Sequence, residues 1–217
     1  MKKSRNELLI SLVFLTMLVV WTVAAKFVDV RPIGPNGSCV GLASVNGFVH
    51  ELFGVHMLLY YVTDWLGLVP LFIAVGFAVS GLVQWIKRRN ILKVDADILV
   101  LGLFYIAVIA VFLLFERIAL NYRPILINGI LEASYPSSTT LLVMCVMPTT
   151  AMQIKWRMKT SVIKKLVLIC IYLFTAFMVI GRLVSGVHWF SDIIAGALTS
   201  VWLVTMYHYL LIERKVS

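Results

Sequence analysis

"ILVLGLFYIAVIAVFLLF", residues 98–115, contains no charged side chain, and this feature indicates the class of fold. A helix needs roughly 20 predominantly apolar residues to cross about 30 Å of hydrocarbon. The stretch is therefore typical of a membrane-spanning helix, and it forms the middle of a predicted span over residues 97–119.

The rest of the chain repeats this pattern. Of its 217 residues, 61% are hydrophobic and 13% are charged, a balance far from that of a soluble domain. Periodicity alone does not separate a membrane span from a buried helix, but six apolar runs with short polar breaks favour the membrane. The predicted spans are 8–26, 65–86, 97–119, 138–154, 164–181 and 188–211. The predicted fold class is all-α, a polytopic membrane protein with six transmembrane helices, and residues 1–217 are interpreted as one domain because no internal repeat is visible.

The chain has a net charge of +9, and the positions of its basic residues predict the membrane topology. Fourteen of the nineteen Lys and Arg residues lie in four segments: Lys2, Lys3 and Arg5; Lys87, Arg88, Arg89 and Lys93; Lys155, Arg157, Lys159, Lys164 and Lys165; Arg214 and Lys215. With six spans, all four segments fall on one side, which the positive-inside rule makes cytoplasmic together with both termini. The basic excess therefore predicts an orientation and no nucleic-acid partner.

The first apolar run has a second interpretation, that of a signal peptide. "MKKSRNE" is basic and "TVAAK" offers small residues near a cleavage point, as signal peptides do. The apolar run is long for that role, and an uncleaved first span gives consistent loop charges. We therefore expect a retained span, and mass spectrometry of the mature N-terminus distinguishes the two.

A surface helix is predicted before the second span. "FVHELFGVHMLLYY", residues 48–61, mixes aromatic and histidine side chains with leucines, as helices at the membrane surface do. His50, Glu51 and His56 are interpreted as its polar face, in preference to a catalytic or metal-binding role.

Two arginines need a separate explanation. The predicted topology places "ERIALNYRP" (116–124), "EASYPSSTT" (132–140) and "GRLVSGVHWFSD" (181–192) on the outer face. Positive-inside sorting disfavours arginine there, yet Arg123 and Arg182 lie in these segments. Guanidinium groups bind phosphate through paired hydrogen bonds, so an anionic ligand at this surface explains both.

The third segment carries the sharpest signal. His188 and Asp192 are four residues apart at the start of a predicted helix, which brings their β-carbons within roughly 5 to 6 Å. A carboxylate at that position can accept the Nδ1 proton and leave Nε2 free as base, ligand or nucleophile. Gly181 and Gly186 permit a turn that brings Arg182 towards His188.

The second segment leaves two interpretations open. Pro136 is followed by Ser137, Ser138, Thr139 and Thr140 where a helix should begin. One interpretation is helix capping without a ligand. The other uses the free amides, the hydroxyls and the helix dipole to hold an anion, and the nearby ionisable residues favour it.

These segments resemble the type 2 phosphatidic acid phosphatases, a superfamily that includes the vanadium-dependent haloperoxidases. The motifs of that family are KxxxxxxRP, PSGH and SRxxxxxHxxxD. The chain has "ERIALNYRP", "PSST" and "GRLVSGVHWFSD" in the same order with matching internal spacing. The six-span layout also matches the membrane branch of the family.

The resemblance implies a role for each matching position. His188 would be the nucleophile that becomes a phosphohistidine, and Asp192 would orient it. Arg123 and Arg182 would bind the phosphate oxygens, helped by Ser137 and by the amides and hydroxyls of Ser138 and Thr139. Because arginines supply the positive charge, no metal and no cofactor is expected.

The chain departs from the family motifs at three important positions. Glu116 stands where the family has a phosphate-binding lysine, Ser138 where it has glycine, and Thr139 where it has the histidine that protonates the leaving group. Gly181 in place of serine is a milder change. Arg117 is a poor substitute for the lysine, since one residue along a helix is a turn of about 100°.

The expected function follows from Thr139, which is no acid near neutral pH. A phosphate leaving group, with a pKa of about 6, needs little protonation, whereas an alkoxide needs a proton. We therefore expect a lipid phosphatase or phosphotransferase that prefers an isoprenoid diphosphate such as undecaprenyl diphosphate, at the outer leaflet of a plasma membrane of bacterial type. The alternative is a catalytically impaired homologue that binds or transports a lipid phosphate. No pattern in the sequence predicts an oligomeric state.

Overall fold

The computed structural model describes residues 2–216, and its side chains are described for residues 5–212. Eight α-helices follow one another in this part of the chain: α1 (Lys2–Phe27), α2 (Ala43–Phe53), α3 (Met57–Leu66), α4 (Leu68–Arg88), α5 (Ala96–Ile118), α6 (Ser138–Arg157), α7 (Val162–Val184) and α8 (Phe190–Val216). Between residues 2 and 216 there is no β-sheet, only three isolated bridges in the loops. The predicted all-α class is confirmed, while the division into a single domain stays a prediction.

Five helical segments in the described chain are long and apolar enough to cross a membrane. They are Arg5–Phe27, Met57–Arg88, Ala96–Ile118, Val162–Val184 and Phe190–Ile212. Each corresponds to a predicted span, with boundaries shifted by a few residues. The remaining predicted span, 138–154, coincides with α6, whose composition does not reach the same apolarity. The six-span topology therefore stays a prediction.

The polar composition of α6 follows from its position inside the bundle. This helix packs against α4, α5, α7 and α8. Its polar side chains are satisfied by neighbours: the Thr149 hydroxyl donates to the Cys145 carbonyl at 2.8 Å, and Gln153 Nε2 donates to the Tyr207 hydroxyl at 3.1 Å. A helix shielded from lipid by other helices has no need for an apolar surface all round.

The second span begins earlier than predicted, and the predicted surface helix is divided in two. Helix α2 contains His50 and Glu51, whereas α3 continues into α4 through Gly67, which keeps a helical backbone conformation (φ −60°, ψ −19°). A single surface helix over residues 48–61 is therefore wrong. Gly54 breaks it with φ +69°, a conformation that L-residues rarely adopt.

The two ends of the bundle differ in chemistry. At one end, Arg157 at the C-terminus of α6 forms an ion pair with Asp97 at the start of α5, and Arg88 pairs with Asp95. His208 of α8 and Glu7 of α1 pair near the same end, since Tyr207 contacts Gln153 in α6. The opposite end holds the three polar segments that follow α5, precede α6 and join α7 to α8.

Candidate active site

The first polar segment forms a small hairpin that presents Arg123. Asn128 (φ +51°) and Gly129 (φ +78°) occupy the turn, and Ile127 and Ile130 exchange two backbone hydrogen bonds across it. An Asn-Gly pair is a preferred sequence for this two-residue turn. The hairpin also places Arg123 opposite Glu132: the Arg123 amide donates to the Glu132 carbonyl at 3.0 Å, and Arg123 Nε donates to Glu132 Oε2 at 2.8 Å.

The second polar segment caps α6. The Ser137 hydroxyl accepts a hydrogen bond from the Thr140 hydroxyl at 3.1 Å and lies 3.5 Å from the Thr140 amide. Ser137 is fully buried, and its own amide donates to the Asp192 carbonyl at 3.0 Å. The capping interpretation of Ser137 is thus realised in the structure. The first amides of α6, at Ser138 and Thr139, lack an acceptor one turn back in the helix, as at every helix N-terminus.

Arg182 lies in the last turn of α7 and is 1% exposed. Its guanidinium donates to the Thr63 hydroxyl and to Asp64 Oδ1, both at 3.4 Å, and lies over the Tyr60 ring at 5.0 Å from the centroid. Its Nε has no partner among the described residues. Gly181 permits this approach of α7 to α3, because a β-carbon there would lie 2.8 Å from the Thr63 methyl group.

His188 lies in the loop between α7 and α8, two residues before the helix begins, and is 3% exposed. Gly186 shapes this loop: its φ is +68°, and a β-carbon there would lie 2.0 Å from the Gly54 carbonyl oxygen. His188 Nε2 is 3.2 Å from Arg123 Nη1. Because guanidinium groups only donate, Nε2 must be the acceptor, and a neutral His188 carries its proton on Nδ1.

Asp192 is fully buried in the first turn of α8 and lies 3.7 Å from His188 Nδ1, near but outside hydrogen-bond distance. Its Oδ2 accepts from the Trp189 amide at 3.0 Å, and its Oδ1 lies 3.4 Å from donors of Asn121 and Ser191. The carboxylate is therefore held in place by the loop that carries His188, and the distance to Nδ1 is short enough for electrostatic attraction.

Arg123 and His188 line one cavity, which we call the polar cavity, with a volume of about 460 Å³. Glu116, Glu132 and Ser138 also line it. Glu116 follows Phe112 by one helical turn on α5, and both face the cavity, whereas Arg117 does not line it. Thr139, Ser137, Arg182 and Asp192 do not line it either, although the charge of Arg182 acts on His188.

A second space of about 460 Å³, which we call the apolar cavity, adjoins the polar one through Phe112 and Ser138. Leucine, valine, isoleucine and phenylalanine side chains of α4, α5 and α6 form most of its wall. Its polar lining side chains are Asp64, Ser138 and Thr139. The site thus joins a charged chamber to a hydrophobic one at the start of α6.

Several residues that position the site carry no signal in the sequence motifs. Asn46 of α2 is buried and binds Ser191 twice, through Nδ2 to the hydroxyl at 2.9 Å and through Oδ1 from the amide at 2.9 Å. Glu132 binds Arg123, and Trp189 is 2% exposed and donates to the Tyr122 carbonyl at 2.7 Å. Only packing of distant segments reveals these contacts.

The two histidines of the predicted surface helix lie outside both cavities. His56 is exposed and contacts the Phe53 carbonyl through Nε2 at 2.8 Å, and His50 packs on the Trp189 ring at 5.4 Å. Among residues 5–212, no group of three or more His, Cys, Asp or Glu side chains is arranged to hold a metal ion.

The protonation of His188 provides a testable property of this site. Burial lowers the pKa of His188 to about 4, and the charges of Arg123 and Arg182 act in the same direction, while Asp192 opposes them. The imidazole should therefore stay neutral at pH 5 to 7. Since the folded pKa lies below the unfolded value of about 6.5, the unfolded state binds more protons, and His188 should reduce stability as pH falls from about 6.5 towards 4.

Imidazole ¹⁵N spectra of the protein in detergent, with His188→Gln to assign the signal, measure this titration. We expect no protonation of His188 above about pH 5. The acid destabilisation of the wild type relative to His188→Gln should appear in the same pH range in which the unfolded imidazole titrates. A midpoint near pH 6.5 in the folded protein would contradict the burial argument.

Comparisons with known proteins find similarity over the part of the chain that carries these residues. The family model described as the PAP2 superfamily matches residues 122–215, which include Arg123, Arg182, His188 and Asp192. No curated protein matches the chain. The chain is similar in structure to the first transmembrane PAP2 type phosphatidylglycerolphosphate phosphatase from Bacillus subtilis, with a TM-score of 0.67 and 17% identity over 96% of this chain and 98% of that one. At this identity the likeness shows a shared fold.

Proposed function

Since the PAP2-superfamily model matches residues 122–215, we propose that this chain is a membrane lipid phosphatase or phosphotransferase of that superfamily that acts through a phosphohistidine. The observation that carries the proposal is the contact of 3.2 Å between His188 Nε2 and Arg123 Nη1, at the wall of the polar cavity. A nucleophilic nitrogen and a phosphate-binding guanidinium thus face the same space.

His188 is the proposed nucleophile because its Nε2 is unprotonated and faces Arg123. Nucleophilic catalysis needs a neutral imidazole, which burial favours. Asp192, 3.7 Å from Nδ1, stabilises the positive charge that develops when Nε2 bonds to phosphorus. Arg123 and Arg182 balance the phosphoryl charge, with the amides of Ser138 and Thr139 as further donors, so the proposed reaction requires no metal.

The apolar cavity is the proposed site for the lipid tail. It opens beside the polar cavity, and the two share Phe112 and Ser138. A lipid whose phosphate occupies the polar cavity would therefore lay its first carbons between α4, α5 and α6.

An isoprenoid diphosphate such as undecaprenyl diphosphate is the proposed substrate. Thr139 lines the apolar cavity at the position where the family has its proton donor, and a hydroxyl is no acid near neutral pH. A lipid alkoxide would leave unprotonated at great cost, whereas a lipid phosphate, with a pKa of about 6, leaves readily. The departure at Thr139 therefore favours diphosphate over monophosphate.

We further propose that the site faces the extracytoplasmic side of a bacterial plasma membrane. The basic segments cluster at the end of the bundle where Arg88, Asp97 and Arg157 form ion pairs, and His188 lies at the other end. By the positive-inside rule the basic end is cytoplasmic. A sixth span formed by α6 would place both termini on that side.

The test compares phosphate release by the purified protein from undecaprenyl diphosphate and from phosphatidic acid, in the same detergent. We expect the diphosphate to turn over at least about 10²-fold faster, since a missing general acid costs about 10²- to 10⁴-fold. Faster turnover of phosphatidic acid would overturn the diphosphate preference while leaving the phosphatase proposal intact.

One observation favours a second function, a binder or transporter of lipid phosphates without turnover. Glu116 lines the polar cavity where the family has a phosphate-binding lysine, so this cavity carries less positive charge. Saturable binding of both lipids without phosphate release, and without any trapped phosphohistidine, would support that function and overturn the enzyme.

A further inference from the structure

Asp64 is the only charged side chain that lines the apolar cavity. It lies in the last turns of α3, and its Oδ1 is 3.4 Å from Arg182 Nη2. The side chain of Arg182 is 2% exposed in this pair, whereas that of Asp64 is 55% exposed. The exposed face of the carboxylate leaves oxygen lone pairs without a partner in this ion pair.

Asp64 and Thr139 both line the apolar cavity. Gly67, one turn after Asp64, packs beside Thr139: a β-carbon on Gly67 would lie 2.9 Å from the Asp64 carbonyl oxygen and 3.7 Å from the Thr139 methyl group. The carboxylate of Asp64 thus faces the same cavity as Thr139, where the family has a proton donor and this chain has none.

The stereochemistry of phosphoryl transfer decides which side of the phosphorus needs a base. The attacking and leaving groups lie roughly in line on opposite sides of the phosphorus. When water attacks the phosphohistidine, it therefore enters where the lipid left. If the tail lies in the apolar cavity, that water arrives on the side of Asp64 and Thr139, opposite His188.

We propose that Asp64 is the general base that activates this water, an inference that rests on the proposed function. Other carboxylates of the site lie on the wrong side of the phosphorus. Glu132 binds Arg123 next to His188, and Glu116 lines the polar cavity without lining the apolar one. Asp192 is fully buried and lies on the Nδ1 side of the His188 ring, away from Nε2.

The two half-reactions then balance. In the first, Nε2 of His188 bonds to the terminal phosphorus, the bridging P–O bond breaks, and its electron pair departs with the lipid monophosphate. In the second, the water oxygen bonds to phosphorus, the P–N bond breaks with its electron pair returning to Nε2, and the water proton passes to Asp64. Inorganic phosphate leaves, and Asp64 releases its proton to solvent.

The test is Asp64→Asn, assayed with undecaprenyl diphosphate by rapid quench. We expect lipid monophosphate to be released in a burst of one equivalent at close to the wild-type rate, while steady-state phosphate release falls by about 10²- to 10⁴-fold. The phosphohistidine should accumulate during the burst. Glu51→Gln, which removes an exposed carboxylate of α2 on the same side of the bundle, is the matched control and should behave as wild type.

A role for Asp64 limited to positioning Arg182 makes a different prediction. In that case Asp64→Asn would lose the burst together with the steady-state rate, and this result would overturn the proposal, as would unchanged turnover. If the wild type itself forms no phosphohistidine and releases no phosphate, the proposed function is wrong. This outcome differs from one in which only the role of Asp64 is wrong, because the wild type then remains active.

Two further variants keep the proposal testable if Asp64→Asn folds poorly. Asp64→Glu retains a carboxylate and should keep turnover within about tenfold of wild type. The double variant Asp64→Asn with Thr139→His should recover phosphate release, because an imidazole at position 139 supplies a base on the same side of the phosphorus. No recovery in a folded double variant would contradict a missing base.

Discussion

Replacement of His188 by alanine is expected to abolish the trapped phosphohistidine and to lower turnover by about 10⁴-fold or more, the scale of losing a catalytic nucleophile. The reason is structural: among the described residues, His188 provides the only imidazole that lines the polar cavity, and its Nε2 faces Arg123. The reaction with ³²P-labelled substrate is stopped without acid. The label that remains on the protein is then measured, and a phosphohistidine is recognised because it is stable to base and labile to acid.

His56→Ala is the matched control for this experiment. His56 is an exposed imidazole on the same side of the bundle, outside both cavities, so its removal should leave the label and the turnover unchanged. Label that persists in His188→Ala would contradict the assignment of the nucleophile. Turnover that persists without label would indicate direct attack by water.

Replacement of Thr139 by histidine is expected to raise turnover of phosphatidic acid by about 10²-fold or more, towards the 10²- to 10⁴-fold that a general acid contributes. This corresponds to roughly 3 to 5 kcal/mol of barrier. Thr139 lines the apolar cavity beside Ser138, so an imidazole at this position can reach the oxygen that leaves with the lipid. Turnover of the diphosphate should change much less, because its leaving group scarcely needs the proton.

Thr139→Asn is the control, since it changes the size and polarity of the side chain without adding a titratable group. An equal gain from asparagine would show that the size of the side chain at position 139, rather than a missing proton donor, limits the monoester reaction. No gain from histidine in a folded protein would show that another group already protonates the leaving oxygen.

The local chemistry of the sequence was sufficient to predict the helical class and most of the spans. Runs such as residues 98–115 need no partner to prefer the membrane, because the transfer of apolar side chains into hydrocarbon is nearly additive along the run. The motif spacings likewise singled out Arg123, His188 and Asp192, and the structure places Arg123 and His188 at one cavity.

Predictions were less accurate where two segments meet. Helix α6 is polar enough that its composition does not mark it as a span, since its surface contacts other helices. The surface helix predicted over residues 48–61 is broken at Gly54, and its second half joins α4. His188, expected inside a helix with Asp192, lies before the helix begins, at 3.7 Å from the carboxylate.

Composition and charge along the chain were enough to predict which segments prefer the membrane and where the basic residues cluster, and the motifs were enough to single out candidate site residues. Packing of the helices was needed to bring Asp64 to Arg182 and to join a polar and an apolar cavity at Ser138. The physical reason is that hydrophobicity and charge belong to each residue, whereas a contact between residues more than a hundred positions apart exists only once the helices have packed.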